Sequence, residues 1–441
     1  MLDTEGALVP WRPGTRLAFR FAFSYLCLNL VDCGSIAIFL LQQTFGGLPT
    51  ELAVDKVWKH IVPWVARQVL RIQRPDIASG GGSDSTYAVV QIFCELVLAL
   101  VATAAWTLLD RRRPDYRRLH QWLRLATQLV CGVLMVSYGS DKVFPAQFGS
   151  MTPSRLMTRF GDLSPYEVLW AFMATSKGYT VFCGAAEVLG GVLLLIPRLT
   201  TIGALLCAGA MTNVLALDVF YGVPVKFLAL HLLLLSIFLL LPELPRMADL
   251  WVFHRTVAPP AFTALSERRW VHRGALVLHG VLGVSLCVGF FWATGEKYFK
   301  RRAESAIRPP FDGVWVVDDF RLSSDPKRSL FTSKIATDLG LRSGEERWQR
   351  LFFERPKRVT IECENGAMDE VTLEWDADAT VAQVSDAGDA EWKGSLAFDK
   401  TGSDSLNMTG KVNGVDVAAK LRRLADRKFR LTSSEFHLIN D

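Results

Sequence analysis

Long apolar runs alternate with short polar segments over the first two thirds of the chain, a pattern typical of membrane proteins with several spans. About 20 apolar residues cross the hydrocarbon core as one helix. Seven stretches come near or above that length, which predicts a membrane domain over residues 1–300. The expected spans are Leu17 to Leu41, Ala88 to Leu109, Leu123 to Gly139, Gly178 to Pro197, Thr200 to Phe220, Val223 to Leu241 and Gly274 to Trp292.

The connections between these spans also carry helical signals. Over residues 56–73, apolar positions such as Trp58 and Val62 recur at helical spacing opposite a basic side. This segment is either a helix in the membrane interface or a helix packed against the soluble domain. Over residues 143–169, Thr152-Pro153 and Ser164-Pro165 indicate the starts of short helices on the outer membrane face, roofing the bundle.

After residue 300 the pattern changes to short, often alternating segments separated by turn residues. About eight strands at this spacing predict a β-rich domain over residues 301–441, either a small antiparallel barrel or a sandwich. The triplet Gly313-Val314-Trp315 resembles the GxW signature of lipocalin-like barrels, where the Trp closes one end. The expected strands are Gly313 to Phe320, Arg347 to Phe353, Arg358 to Cys363, Val371 to Trp375, Trp392 to Phe398, Leu406 to Val412, Val415 to Leu421 and Phe429 to Thr432.

Charge sets the expected orientation. The basic run from Arg111 to Arg118, between the second and third spans, favours the cytoplasm. Seven crossings then put the N-terminus inside and the C-terminal domain outside. The formal net charge of +5 is ordinary for a protein with juxtamembrane arginines and does not indicate nucleic-acid binding.

Cysteine and histidine spacing gives little support to redox or metal chemistry. The chain has 8 Cys and 7 His, and no CxxC motif is present. The intramembrane thiols are therefore interpreted as packing residues. The histidines show no spacing suited to haem or to a pair of metal ions, so we expect no metal site.

Glu187 lies near the centre of the fourth span. A carboxyl group at mid-membrane costs about 2.5–3.5 kcal/mol on insertion scales, so such a residue normally faces a partner inside the bundle. Lys142 and His231 are the candidate partners. Other polar residues fall in the same leaflet, facing the C-terminal domain, or near mid-membrane, and are candidates for lining a cavity there. They are Tyr138, Asn213, Lys226, Asn29, Asp32 and Glu95. The alternative is that these residues form interhelical hydrogen bonds without any ligand.

The segment Tyr138-Gly139-Ser140-Asp141-Lys142, together with Glu187-Val188-Leu189-Gly190-Gly191, resembles the DoxX family of bacterial membrane proteins. The resemblance covers residues 121–250 and implies a four-helix core. Its motif residues correspond to Lys142, Gln147, Glu187, Gly190, Gly191 and Asn213. The family takes its name from a subunit associated with thiosulfate:quinone oxidoreductase, and many members are named putative oxidoreductases by association.

Two hypotheses follow. In the first, this DoxX-like protein of the bacterial cytoplasmic membrane binds a quinone or another lipophilic small molecule, with Glu187 carrying a proton beside Lys142. Any electrons would then come from a redox partner or from the bound quinone. In the second, the protein is a membrane scaffold or lipid-binding protein, and its intramembrane polar residues are structural. Whether the chain is an enzyme, and its oligomeric state, stay open.

Overall fold

The structure is a computed structural model. It describes residues 10–45, 53–72, 84–257, 264–322, 347–378, 380–385, 393–412, 414–425 and 429–433. Contacts divide the chain into two compact units. The first comprises residues 1–147 and 177–297, and the second comprises residues 148–176 and 298–441. The connection over residues 148–176 therefore groups with the β-rich part of the chain.

The first unit is helical. Its helices are α1 (Pro13–Phe45), α2 (Ala53–Gln68), α3 (Thr86–Leu109), α4 (Arg117–Val143), α7 (Lys177–Leu195), α8 (Thr200–Phe220), α9 (Lys226–Leu240), α10 (Leu244–Trp251) and α11, which starts in this unit (Arg269–Ala306). In the described part of the chain, 6 helices are long and apolar enough to cross a membrane. The number is up to 7 if α9 and α10, bent by 70° at their junction, count as one span. The expected helical region with several apolar helices of spanning length is confirmed, although α9 itself has only 15 residues.

Despite its shortness, α9 runs from one end of the bundle to the other. At its start, Lys226 pairs with Asp84, which lies just before α3. Near its end, the Leu239 carbonyl accepts a hydrogen bond from Arg124, in the second turn of α4. Because α4 begins at the side where α3 ends, α9 runs from the side where α3 starts toward the side where α4 starts.

Helix α2 packs against α3. Trp58, Val62 and Ala66 are buried together with Val90 and Cys94, in keeping with the helical spacing of the sequence. The other side of α2 is exposed. The packing observed is on α3, one of the helices long and apolar enough to cross a membrane. The choice between the two alternatives for this segment stays a prediction. Residue 73, the last of the expected amphipathic segment, lies outside the described residues.

The second unit contains a closed antiparallel barrel in which each strand pairs with the next and β8 pairs with β1. The barrel prediction is confirmed, with two corrections to the strands. The segment 429–432 lies largely in a short helix, α12 (Arg430–Ser433), and β5 was missed. The strands are β1 (Gly313–Leu322), β2 (Trp348–Arg355), β3 (Arg358–Cys363), β4 (Met368–Trp375), β5 (Val381–Ser385), β6 (Lys393–Lys400), β7 (Ser405–Val412) and β8 (Val415–Arg423).

Apolar and aromatic side chains fill the interior of the barrel. Around Phe311, the rings of Phe353, Trp375 and Phe398 lie with centroids 5.4–6.0 Å away. Trp315 is buried, and its indole N–H donates to the Phe311 carbonyl at 2.8 Å. Along the strands, apolar residues that point into the barrel alternate with polar residues that point outward, as the sequence pattern predicts.

Residues 148–176 cover part of the outer face of the barrel. They form α5 (Pro153–Met157) and α6 (Pro165–Thr175), which start at the two predicted cap positions. Ser164 caps α6 with a reciprocal capping box. Phe352 points outward from β2 and yet is fully buried. Residues outside the barrel wall therefore cover it.

Candidate functional site

Glu187 is paired with Lys142. The Lys142 ammonium donates to both carboxylate oxygens of Glu187, at 2.9 and 2.7 Å. Lys142 is 8% exposed and Glu187 only 2%. Of the two partners that the sequence suggested, the structure selects Lys142, and the pair is closed to bulk solvent.

Glycines let α4 and α7 approach until their backbones touch. A Cβ atom added at Gly184 would lie 2.6 Å from the Gly139 carbonyl oxygen, and one at Gly191 would lie 2.5 Å from that of Gly132. Glu187 lies between these two crossing points on α7, which brings its carboxyl group to the side of α4. Close backbone approach through small residues is a common way for membrane helices to pair.

The two neighbouring glycines of the family-like motif face different helices. Gly191 faces α4, whereas a Cβ at Gly190 would lie 2.8 Å from the Cys207 sulfur of α8. The motif thus fixes α7 between two neighbours and holds Glu187 in a defined position. This part of the resemblance is explained by packing alone.

A second ion pair joins the start of α9 to the residue before α3. Lys226 Nζ lies 3.1 Å from Asp84 Oδ2. The same carboxylate accepts the backbone N–H groups of Lys226 and Phe227, at 2.9 and 3.2 Å. Asp84 therefore caps the N-terminus of α9 while neutralising Lys226.

Asp218, near the end of α8, is the site residue that the sequence analysis missed. It is 4% exposed, and its Oδ2 has no hydrogen-bond partner among the described residues. It interacts electrostatically with Lys142, Lys226, Glu187 and Asp84. Its place at a helix end gave no sequence signal, because polar residues are ordinary there.

His231 lies in a separate contact. Its Nε2 is 2.7 Å from the Tyr25 hydroxyl of α1, and its Nδ1 is 2.6 Å from the Phe227 carbonyl. Because this second bond joins Nδ1 to a carbonyl oxygen, Nδ1 carries the proton and Nε2 accepts from Tyr25. His231 is thus a neutral, satisfied side chain in this arrangement.

Asp32 and Glu95 form a further polar group with the side chains around them. Gln91 donates to Asp32 Oδ2 at 3.0 Å and to Glu95 Oε1 at 3.2 Å. The Trp58 indole N–H lies 3.3 Å from Asp32 Oδ1. This group connects α1, α2 and α3 in the interior of the bundle.

The remaining expected site residues do not converge on Glu187. Asn213 and Gln147 are exposed, although both belong to the family-like motif. Tyr138 packs against the apolar core, and Asn29 is buried with the Cys33 thiol 3.7 Å from its Oδ1. In the described residues no group of three or more His, Cys, Asp and Glu side chains could hold a metal ion.

The barrel unit has a small cavity of its own, of about 140 Å³, lined by Ser154, Glu354 and Arg358 among others. Ser154 donates its hydroxyl to Glu354 at 2.9 Å and its backbone N–H to the other carboxylate oxygen. Burial raises the pKa of Glu354 above the usual value, and these hydrogen bonds oppose that shift. The protein's own carboxylate therefore occupies the position where an anion would bind.

Comparison with known proteins gives a single partial similarity to report. The chain is 32% identical over 103 residues to the Bacillus subtilis (strain 168) protein named "Uncharacterized protein YwoB". That alignment covers 23% of this chain and 65% of YwoB, so the match spans just under two thirds of that protein. No family model matches the chain. No solved structure matches it either.

Proposed function

We propose that this protein is a DoxX-like membrane protein that binds a quinone or another lipophilic small molecule beside Lys142 and Glu187. The observation that carries the proposal is the buried ion pair itself, placed within two apolar helices. Charged residues in such a position are costly, and they normally mark a ligand, ion or proton site. Asp218 interacts electrostatically with the pair, and its Oδ2, which has no hydrogen-bond partner among the described residues, adds a polar atom that a ligand would satisfy.

The chemistry of the pair suits a carbonyl ligand. An ammonium group has three N–H donors, and Glu187 takes two of those of Lys142. A quinone oxygen is an acceptor that the third donor would bind, while the apolar helices would surround its ring and tail. In a redox role the electrons would come from a partner protein or from the bound quinone.

We also propose that α9 completes seven crossings of the bacterial cytoplasmic membrane. Its contacts at both ends of the bundle support this count. With the basic run after α3 in the cytoplasm, the N-terminus lies inside and α11 ends outside. Within the barrel unit, the buried Trp315 at the start of β1 supports a lipocalin-like architecture, with an interior filled by side chains rather than a ligand.

The second hypothesis, a scaffold or lipid-binding protein without catalysis, is favoured by one specific observation. Both oxygens of Glu187 are bound by Lys142 at a glycine-lined helix crossing. An arrangement so complete can hold two helices together without a ligand. The experiment must therefore separate binding from folding.

The test is to purify the full-length protein in nanodiscs and to measure co-purified quinone by mass spectrometry after extraction. We expect stoichiometric quinone in the wild type and its loss in Glu187→Gln. The double variant K142M/E187M removes both charges together, so it should fold but not bind. Asp249→Asn, at a half-exposed aspartate of α10, is the matched control and should retain the ligand. Quinone-free wild type, or full binding by K142M/E187M, would refute the proposal.

A further inference from the structure

The charges around Asp218 do not balance. Two lysines, Lys142 and Lys226, face three carboxyl groups, Glu187, Asp84 and Asp218. These groups come from α4, α7, α8, α9 and the segment just before α3. If all five were ionised, the cluster would hold one excess negative charge among apolar helices.

The hydrogen bonds decide which carboxyl is neutral. Glu187 is bound by the Lys142 ammonium through both oxygens. Asp84 is bound by the Lys226 ammonium and by two backbone N–H groups. Such contacts stabilise the ionised form of a carboxyl group. Asp218 has no corresponding contact at Oδ2 among the described residues, and it is 4% exposed.

We propose that Asp218 is the protonated carboxyl group of this site, and that it donates a hydrogen bond to a carbonyl oxygen of the bound ligand. The second half of this proposal rests on the quinone-binding function proposed above. The proton-carrying role expected for Glu187 then passes to Asp218, because Glu187 is committed to Lys142. A proton on Asp218 removes the excess charge, and the unpartnered oxygen gains a partner when the ligand arrives.

Asp32 and Glu95 are a second pair of carboxyl groups in the bundle, and any test must distinguish them from Asp218. They belong to a different contact group, in which Gln91 bridges the two side chains. Variants at Lys142 and Asp218 leave that group intact. Difference spectra between variants therefore cancel its contribution.

The experiment is infrared spectroscopy of the full-length protein in nanodiscs at neutral pH, in H₂O and D₂O. A protonated carboxyl group gives a carbonyl stretching band that shifts on deuteration. We expect Asp218→Asn to remove intensity from this band. We expect Lys142→Met to add intensity, because Glu187 loses its counter-ion and becomes protonated as well. Asp249→Asn, at a half-exposed residue whose carboxylate is paired with Arg255, should leave the band unchanged.

Adding a short-chain quinone provides the second readout. A shift of the Asp218 band on binding supports the whole proposal. A band that is removed by D218N but is insensitive to quinone upholds the protonation of Asp218 and counts against quinone binding. A band that is unaffected by D218N overturns the assignment to Asp218, even if the extraction experiment finds quinone.

Discussion

The helical unit and the barrel unit differ in where their charged side chains lie. In the helical unit, ionised side chains are drawn into the interior, where Lys142 and Glu187 neutralise each other. In the barrel, the interior is apolar and aromatic. Exposed ion pairs such as Arg422 with Asp318 lie on its outer face, and a buried carboxylate there, Glu362, is bound by Arg350. An interior charge has to be matched by a partner, whereas an exposed one is solvated by water.

The largest expected effect comes from breaking the buried pair. Lys142→Met or Glu187→Met alone leaves a buried ionisable group without its counter-ion, so that folding must also neutralise that group; this should lower the free energy of unfolding by roughly 3–5 kcal/mol. The double variant should recover most of that loss. Reversible unfolding in bicelles, analysed as a double-mutant cycle, gives the coupling energy.

A double-mutant cycle on an exposed ion pair of the barrel, Arg422 with Asp318, provides the comparison. Arg422 and Asp318 are 57% and 47% exposed, so their coupling energy should be much smaller than that of the buried pair. Equal coupling energies in the two cycles would contradict the contrast between the units.

The next effect concerns the helix crossing that holds the pair. Gly191→Ala puts a methyl group against the Gly132 carbonyl, so the backbones of α4 and α7 must separate. Overpacking of this kind costs about 1–3 kcal/mol. Gly209→Ala in α8 is the matched control, because no atom lies within 4 Å of its added Cβ. There the gain in helix propensity should stabilise the protein by up to about 1 kcal/mol. A neutral G191A variant would mean that the glycines do not set the distance between the helices.

The sequence predicts helices and strands better than it predicts which side chains contact each other. Hydrophobic length located the spanning helices, and alternation located most of the barrel strands. It missed β5, where Ala382 faces the core, because alanine is a weak strand former. It also assigned a strand to residues 429–432, where the local pattern alternates but the chain is largely helical.

The site was predicted only in part for a related reason. The depth of Glu187 follows from its position in one apolar run, which sequence shows directly. Its partner depends on which helices are neighbours, so Lys142 and His231 could not be told apart. Asp218 resembles any polar helix end, and only packing shows that its carboxyl group is buried. Asn213 shows the converse, because it matches the motif yet is exposed.

The smallest expected effect is the pH dependence of stability in the barrel unit, where Glu354 is a partly buried carboxyl group. Its raised pKa means that, between the usual and the raised value, the unfolded chain has lost a proton that the folded chain retains. Its contribution to stability is therefore fully present below the usual pKa and is lost as pH rises through the raised one. Glu354→Gln should abolish this dependence, measured as hydrogen exchange of β2 peptides relative to wild type at each pH.

Ser154→Ala should change the same pH dependence in the direction opposite to Glu354→Gln, by making it stronger. Removing the hydroxyl donor takes away a bond that favours ionised Glu354, so the pKa should rise further and the loss of stability with pH should grow. The lost hydrogen bond itself should cost about 0.5–1.5 kcal/mol. If E354Q and S154A both keep the wild-type pH profile, Glu354 does not contribute a pH-dependent loss of stability to the barrel unit.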